Sequence, residues 1–248
     1  MAASPFDLGG KTALVTGANT GLGQAIAAAL SAAGADIVAV GRTRPDETWG
    51  LVEASGRRLR WIEADLATTE PIDRIAGDAG GVDILVNNAG TIRRADAADF
   101  SEADWDAVMG VNLKSLFFLT QAVGRGMLSR GYGKVINVAS LLSFQGGIRV
   151  ASYTASKSGL AGVTRLLANE WAARGVNVNA IAPGYMETSN TEALRADPDR
   201  SRQILERIPA GRWGRPGDLG GAAVFLASSA SDYMHGAVLP VDGGWLAR

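Results

Sequence analysis

Three side chains able to do acid–base chemistry stand close together in the segment INVASLLSFQGGIRVASYTASKSG. They are Ser140, Tyr153 thirteen positions later, and Lys157 four positions after that. Residues four apart share one face of a helix, so an ammonium at 157 can lie beside a phenol at 153. A phenol ordinarily ionises near pH ~10, and a neighbouring cation favours its charged form. Tyrosine in that setting could give or take a proton nearer neutrality. A serine hydroxyl delivered from a separate segment could hydrogen-bond the oxygen of a carbonyl or alcohol. The trio suits the movement of a proton on and off a substrate oxygen, and that chemistry needs a partner to move a hydride.

A cradle for such a partner lies near the N-terminus. Residues 12–33 read TALVTGANTGLGQAIAAALSAA: a short apolar run, then Gly17, Gly21 and Gly23 in T-G-x-x-x-G-x-G. Leu22, Ile26, Ala29, Leu30 and Ala33 follow at helical spacing. A pyrophosphate site needs a tight turn, close backbone approach and a helix N-terminus aimed at the ligand. The spacing differs from G-x-G-x-x-G, so the position of the glycines between a strand and an amphipathic helix carries the reading.

The elements that must hold these groups are legible as strand-like runs at Thr12–Thr16, Ile37–Val40, Leu59–Ile62, Ile84–Val86, Val135–Val138, Val176–Ile181 and Val238–Val241. Helical patterns lie between most of them, for example Trp105–Arg125 and Tyr153–Trp171. Strand alternating with helix predicts an α/β fold, a doubly wound parallel sheet with helices on both faces. In such sheets ligands sit beyond the carboxyl ends of the strands, and the loops there carry Gly17–Gly23, Asp65, Asn88–Gly90, Ser140 and Pro183–Gly184. With 248 residues and no visible linker or repeat, one domain spanning 1–248 is expected.

Composition narrows the chemistry. There are no cysteines, hence no disulfide or thiolate metal site, and one histidine, His235, hence no multi-histidine metal centre. A Ser-His-Asp triad would have to use His235, which lies in the turn-like SDYMHGA and reads as a structural loop residue. The net charge of −1 and the lack of a basic block exclude nucleic-acid binding through a charged face. The N-terminal residues MAASPFDLGGK carry no signal sequence, and no apolar run approaches ~18 residues, so a cytoplasmic protein without membrane contact is expected.

TGANTGLG, the ADL of Ala64–Leu66, the NNAG of Asn87–Gly90, VNLKS around Asn112, the Ser140/Tyr153/Lys157 set and the APG of Ala182–Gly184 occur in that order across nearly the whole chain. Together they resemble the short-chain dehydrogenase/reductases. The resemblance implies a single-domain Rossmann fold of about seven strands, a bound NAD(H) or NADP(H), and a homotetramer. It implies Tyr153 as acid/base and Lys157 as the cation that lowers its pKa and holds the nicotinamide ribose. Ser140 would orient the reacting oxygen, and Asn112 would help hold a water for proton relay; the alternative for Asn112 is a satisfied amide within a helix. Cofactor contacts are implied for Gly17, Asn19, Thr20, Gly21, Leu22, Gly23, Asp65, Leu66, Asn88, Ala89, Gly90, Pro183, Gly184 and Thr188, besides Tyr153 and Lys157. Asp65 would accept from the adenine amino group or merely cap a helix, and Asn87 is read as a staple between strands.

The stretches NAGTIRRADA, SFQGGIRVASYTASKSG, GYMETSNT and VDGGWLAR resemble a branch of that family acting on six-carbon sugar acids in uronate breakdown. The implied reaction interconverts a keto and a hydroxyl group; rivals are gluconate or a 3-oxoacyl thioester as substrate, and a non-catalytic dinucleotide sensor. Such an acid needs a carboxylate anchor, for which Arg149, four residues before Tyr153, is the first candidate and Arg94 the second, with Gln145 as a neutral helper. Arg149 could equally be a surface or subunit-contact residue. Residues 185–210 read as a mobile flap over the site or as a surface insertion. The second strand ends Ala39-Val40-Gly41-Arg42 with no acid to bind a ribose 2′-hydroxyl. Arg42 could fork onto a 2′-phosphate or stack on adenine, so the local residues favour NADP while the resemblance favours NAD.

Overall fold

A computed structural model describes residues 4–248. Seven strands form one parallel sheet: β1 Thr12–Thr16, β2 Asp36–Gly41, β3 Leu59–Glu63, β4 Ile84–Asn87, β5 Gly133–Val138, β6 Val176–Pro183 and β7 Val238–Val241. Their order is β3-β2-β1-β4-β5-β6-β7. Each pair is parallel and needs a crossover, which the helices supply. These are α1 Gly21–Ala32, α2 Asp46–Ala54, α3 Ile72–Ala79, α4 Glu102–Met109, α5 Leu116–Arg130, α6 Ala151–Trp171, α7 Glu192–Ala196, α8 Pro198–Leu205 and α9 Gly220–Ala227.

Alternate residues of a strand point to opposite faces, and the central strands bury both. In β1, Ala13 and Val15 pack with Ile26 and Leu30 of α1 and Ala223 and Leu226 of α9. Leu14 faces the other side, with Ile75 of α3, Leu119 and Met127 of α5 and Leu167 of α6. The doubly wound α/β architecture expected from the alternation of elements is therefore the observed one.

α4 and α5 are joined by a π-helical turn, Gly110–Ser115, into one helix over Glu102–Arg130. That helix is long and apolar enough to cross a membrane by length and composition alone, which the strict count of consecutive apolar residues did not anticipate. Leu116, Leu119, Val123 and Met127 are buried as core against the sheet.

The chain reverses its winding between β1 and β4, the two inner neighbours that head opposite halves of the sheet. Their carboxyl ends are sewn together: Thr16 Oγ1 accepts from the Asn88 and Ala89 N–H groups at 3.0 and 2.9 Å. Asn87, at the end of β4, donates to Thr120 (2.8 Å) and to its register partner Asn137 on β5 (2.9 Å). Asn137 in turn donates to Thr164 of α6 (2.9 Å), so Asn87 is the staple the sequence suggested. His235 sits at the other end of the sheet, its Nε2 3.3 Å from Asn177 near the start of β6, away from Ser140.

Candidate active site

The first βα loop is built for close approach. Gly17 and Gly21 adopt φ of +64° and +57°, and a Cβ on Gly23 would lie 2.1 Å from the Gly17 carbonyl oxygen. Only glycine fits at 23, so α1 can begin tight against the loop. The Asn88 amide donates to the Thr16 and Gly17 carbonyls (3.0 and 3.1 Å), and Thr48 donates to Ala18 (2.7 Å), fixing the loop from both sides. Thr20, at the N-cap of α1, makes no side-chain cap, and the first turn holds no acid. The leading N–H groups of the helix thus remain available to an anion. These are the requirements of a dinucleotide pyrophosphate, and the residues present fit one.

Opposite this loop stand the acid–base groups. Ser140 follows β5, and the segment after it is tied to α6 by Ser143 Oγ to the Lys157 carbonyl (2.7 Å) and Ser158 Oγ to the Leu142 carbonyl (3.0 Å). Those bonds set the serine against the Tyr153–Lys157 face. Lys157 is buried and its Nζ donates to the Val138 carbonyl at 2.6 Å, lying 5.6 Å from the Tyr153 ring centroid. Burial lowers the Lys157 pKa from 10.5 to about 8. Tyr153 departs from the sequence expectation. Burial pushes its phenol above the ordinary value, and the opposing influences are a hydrogen bond with Ser140 and the charge of Arg94. Arg94 thus acts on the phenol in addition to Lys157, whose ammonium lies over the Tyr153 ring while donating to the Val138 carbonyl.

Asn112 occupies the π turn, a feature that recurs at functional sites. Its Oδ1 accepts from Thr91 N–H (2.8 Å) and its Nδ2 donates to the Thr91 carbonyl (2.9 Å) and to Ser156 Oγ (3.3 Å). The side chain is fully buried and clamps the loop after β4 to α6.

Gly17, Asn19, Thr20, Gly21, Leu22, Asn88, Ala89, Gly90, Ser140, Tyr153, Lys157, Pro183, Gly184 and Thr188 line one cleft along the carboxyl edge of the sheet. A family model described as enoyl-(acyl carrier protein) reductase matches residues 17–246, nearly the whole of this architecture. The 2-dehydro-3-deoxy-D-gluconate 5-dehydrogenases of Escherichia coli and Dickeya dadantii are 60% and 59% identical over 253 residues, covering all of both chains. The chain belongs to the short-chain dehydrogenase/reductase family. Among solved structures, a protein from Agrobacterium tumefaciens provisionally assigned as a 2-deoxy-D-gluconate 3-dehydrogenase, with NADP bound, is 63% identical. It superposes with a TM-score of 0.95, covering 99% of this chain and 100% of its own.

Gly23, Asp65, Leu66 and Arg42, also expected as cofactor contacts, are not among the residues that line this cleft. Gly23 packs beneath it. Asp65 is exposed, with Oδ1 accepting from Ala67 N–H (2.9 Å) in a local turn, and Leu66 is buried beside it. No helix begins at Asp65, which removes the capping alternative. Arg42 is exposed at the end of β2 and makes no hydrogen bond or ion pair among the described residues. Its neighbour Arg44 is occupied by Asp46 at 2.8 Å and by the Trp49 ring.

On the substrate side the structure reorders the arginines. Arg149, at φ +63°, pairs with Asp96 (3.1 Å), while its carbonyl accepts from Ala95 N–H (3.1 Å). It ties two loops together on the exposed surface. Arg93 pairs with Asp104 (3.2 Å). Arg94 has no carboxylate partner among the described residues; it donates to the Asn190 carbonyl (2.9 Å). Gln145 accepts from Trp245 Nε1 (3.1 Å). Residues 185–210 contain α7 and α8, and Met186, Ser189, Asn190 and Thr191 join Thr188 in the cleft wall. The sequence reading passed over those wall residues and Trp245; the signal for the former was their contiguity with Thr188 in GYMETSNT.

Proposed function

We propose that the protein is an NADP(H)-preferring oxidoreductase that interconverts a keto and a hydroxyl group on a uronate-derived hexulosonate, of the 2-dehydro-3-deoxy-D-gluconate 5-dehydrogenase type. The observation that carries the substrate class is Arg94, which donates to the carbonyl of Asn190 in the cleft wall and has no carboxylate partner among the described residues. An arginine held by one neutral carbonyl keeps most of its planar donor fork for a substrate carboxylate. It replaces Arg149, which Asp96 already neutralises. The bound nicotinamide cofactor supplies or accepts the hydride. Ser140 Oγ hydrogen-bonds the reacting oxygen, and Tyr153 Oη gives it a proton in reduction and removes one in oxidation. Ser140 is the polar partner of the buried Tyr153 hydroxyl, Lys157 lies 5.6 Å from the tyrosine ring, and Asn112 holds in register the loop that carries Arg94. Arg42 takes the 2′-phosphate, since no acid at the end of β2 opposes it.

Residues 185–210 act as a cover whose inner wall is Thr188–Thr191. Trp105, Phe118 and Leu166, each 40–47% exposed, lie on α4, α5 and α6 and support burial against further copies in a homotetramer. A cytoplasmic place suits an enzyme drawing on a nicotinamide pool. The test is a substrate panel run with both cofactors: 2-dehydro-3-deoxy-D-gluconate, gluconate and a 3-oxoacyl thioester. The sugar acid should give the highest kcat/KM, and Arg94→Met should raise its KM by about 10- to 100-fold, the range for losing a charged hydrogen bond. The cofactor KM should not move. Preference for the thioester, unaffected by Arg94→Met, overturns the assignment.

A further inference from the structure

Trp245 lies three residues from the end of the sequence, yet it is buried, with 3% of its surface exposed. The turn before it is tightly set. Asp242 accepts from the Gly244 and Leu246 N–H groups at 2.8 and 2.9 Å, and Gly243 and Gly244 hold φ of +65° and +89°. A Cβ on Gly184 would lie 2.6 Å from Asp242 Cα, so the turn sits directly against the end of β6. The indole is thereby delivered among three segments that border the site.

One is the stretch after Ser140, where Trp245 packs with Leu141 and its Nε1 donates to Gln145 Oε1 at 3.1 Å. The second is Tyr185, next to Gly184, whose ring centroid is 4.7 Å from the indole at 53°. The third is the far end of the cover, where Ile204 and Ile208 share its cluster and the Arg207 guanidinium lies 4.0 Å above the ring. An indole N–H can only donate. It therefore compels Gln145 to present its carbonyl end to Trp245. The Gln145 Nε2 group is left with no protein partner among the described residues, two donors suited to the hydroxyl or carboxylate oxygens of a polyhydroxy acid.

We propose that Trp245 is a positioning residue for substrate recognition: its bond to Gln145 and its contact with Tyr185 orient the donor side of the Gln145 amide toward the sugar acid. The inference rests on the substrate class proposed above. Trp245 is not among the residues that line the cleft, so it acts through Gln145.

The experiment is a double-mutant cycle with Trp245→Phe, Gln145→Leu and the double variant, assayed with 2-dehydro-3-deoxy-D-gluconate and NADP+. Each single change should raise the sugar-acid KM about 3- to 10-fold, the effect of losing a neutral hydrogen bond. The KM for NADP+ should stay constant, and the double variant should be no worse than the poorer single one. Additive effects, an unchanged sugar-acid KM, or a parallel loss of NADP+ affinity overturns the proposal. If Trp245→Phe does not fold, Gln145→Glu keeps the acceptor for the indole but removes both donors. It must raise the same KM without lowering Tm, and an unchanged KM overturns the proposal as well. A wild type that does not turn over the sugar acid refutes the functional reading instead, and the cycle is then read with whichever carbonyl or alcohol of the panel it does accept.

Discussion

Lys157→Met should change how stability responds to pH, by an amount set by the lysine's burial. The folded-state pKa of Lys157 is lowered from 10.5 to about 8. Between these values the unfolded chain binds more protons than the folded one, so this group makes the protein more stable as pH rises. Below about pH 8 its full desolvation cost, roughly 3 kcal/mol, is present. Moving from pH 7 to pH 9.5 should recover about 2 kcal/mol of it. The methionine variant cannot titrate at this position and should lack that recovery, although the Val138 carbonyl loses its donor and shifts both pH values alike. Urea unfolding of wild type and variant at the two pH values gives the double difference directly. Wild type should gain about 2 kcal/mol more than Lys157→Met over this interval. An identical response in both proteins would refute the reasoning, because it would mean the ammonium is as well solvated folded as unfolded.

Two further outcomes follow from the cofactor half of the cleft. Gly23→Ala puts a methyl 2.1 Å from the Gly17 carbonyl and 2.4 Å from the Asn88 amide; it should cost about 1–3 kcal/mol in stability and weaken NADPH more than tenfold by calorimetric titration, and a variant with wild-type affinity would show that the loop does not close on a pyrophosphate. Arg42→Ala should weaken NADPH about 10- to 100-fold and NADH much less, while equal losses would show that Arg42 stacks on the adenine.

Much of this was legible in the residues because a parallel sheet buries both faces of its strands. The apolar run that marks β1 ends where the strand ends, and so does that of the edge strand β7, although its residues are only partly buried. β2 starts one residue before its apolar run because Asp36 is held at the edge by Arg57 and Arg58, at 3.0 and 2.7 Å. The glycine loop was legible because its backbone admits no other residue at 23. Arg149 is near Tyr153 along the chain, but its pairing with Asp96 leaves no mark in the sequence. α6 begins at Ala151, and the left-handed backbone at 149 takes that side chain off the helical path to Asp96. The direction of the Tyr153 shift was hidden for a different reason: spacing shows which charges are near a group, and only packing shows how much water it loses. The π turn at Gly110–Ser115 had no local marker, since its partner Thr91 lies on another loop.

Tyr153 is the group that exchanges a proton with the substrate oxygen, accepting it when the alcohol is oxidised. Tyr153→Phe keeps the ring and removes the transferable proton, so steady-state turnover of 2-dehydro-3-deoxy-D-gluconate with NADP+, with NADPH binding measured alongside, tests it directly. The expected result is a fall in kcat of at least ~10³-fold with NADPH affinity essentially unchanged. A variant keeping more than about a tenth of the wild-type kcat would contradict it, because general acid–base catalysis is worth far more than that.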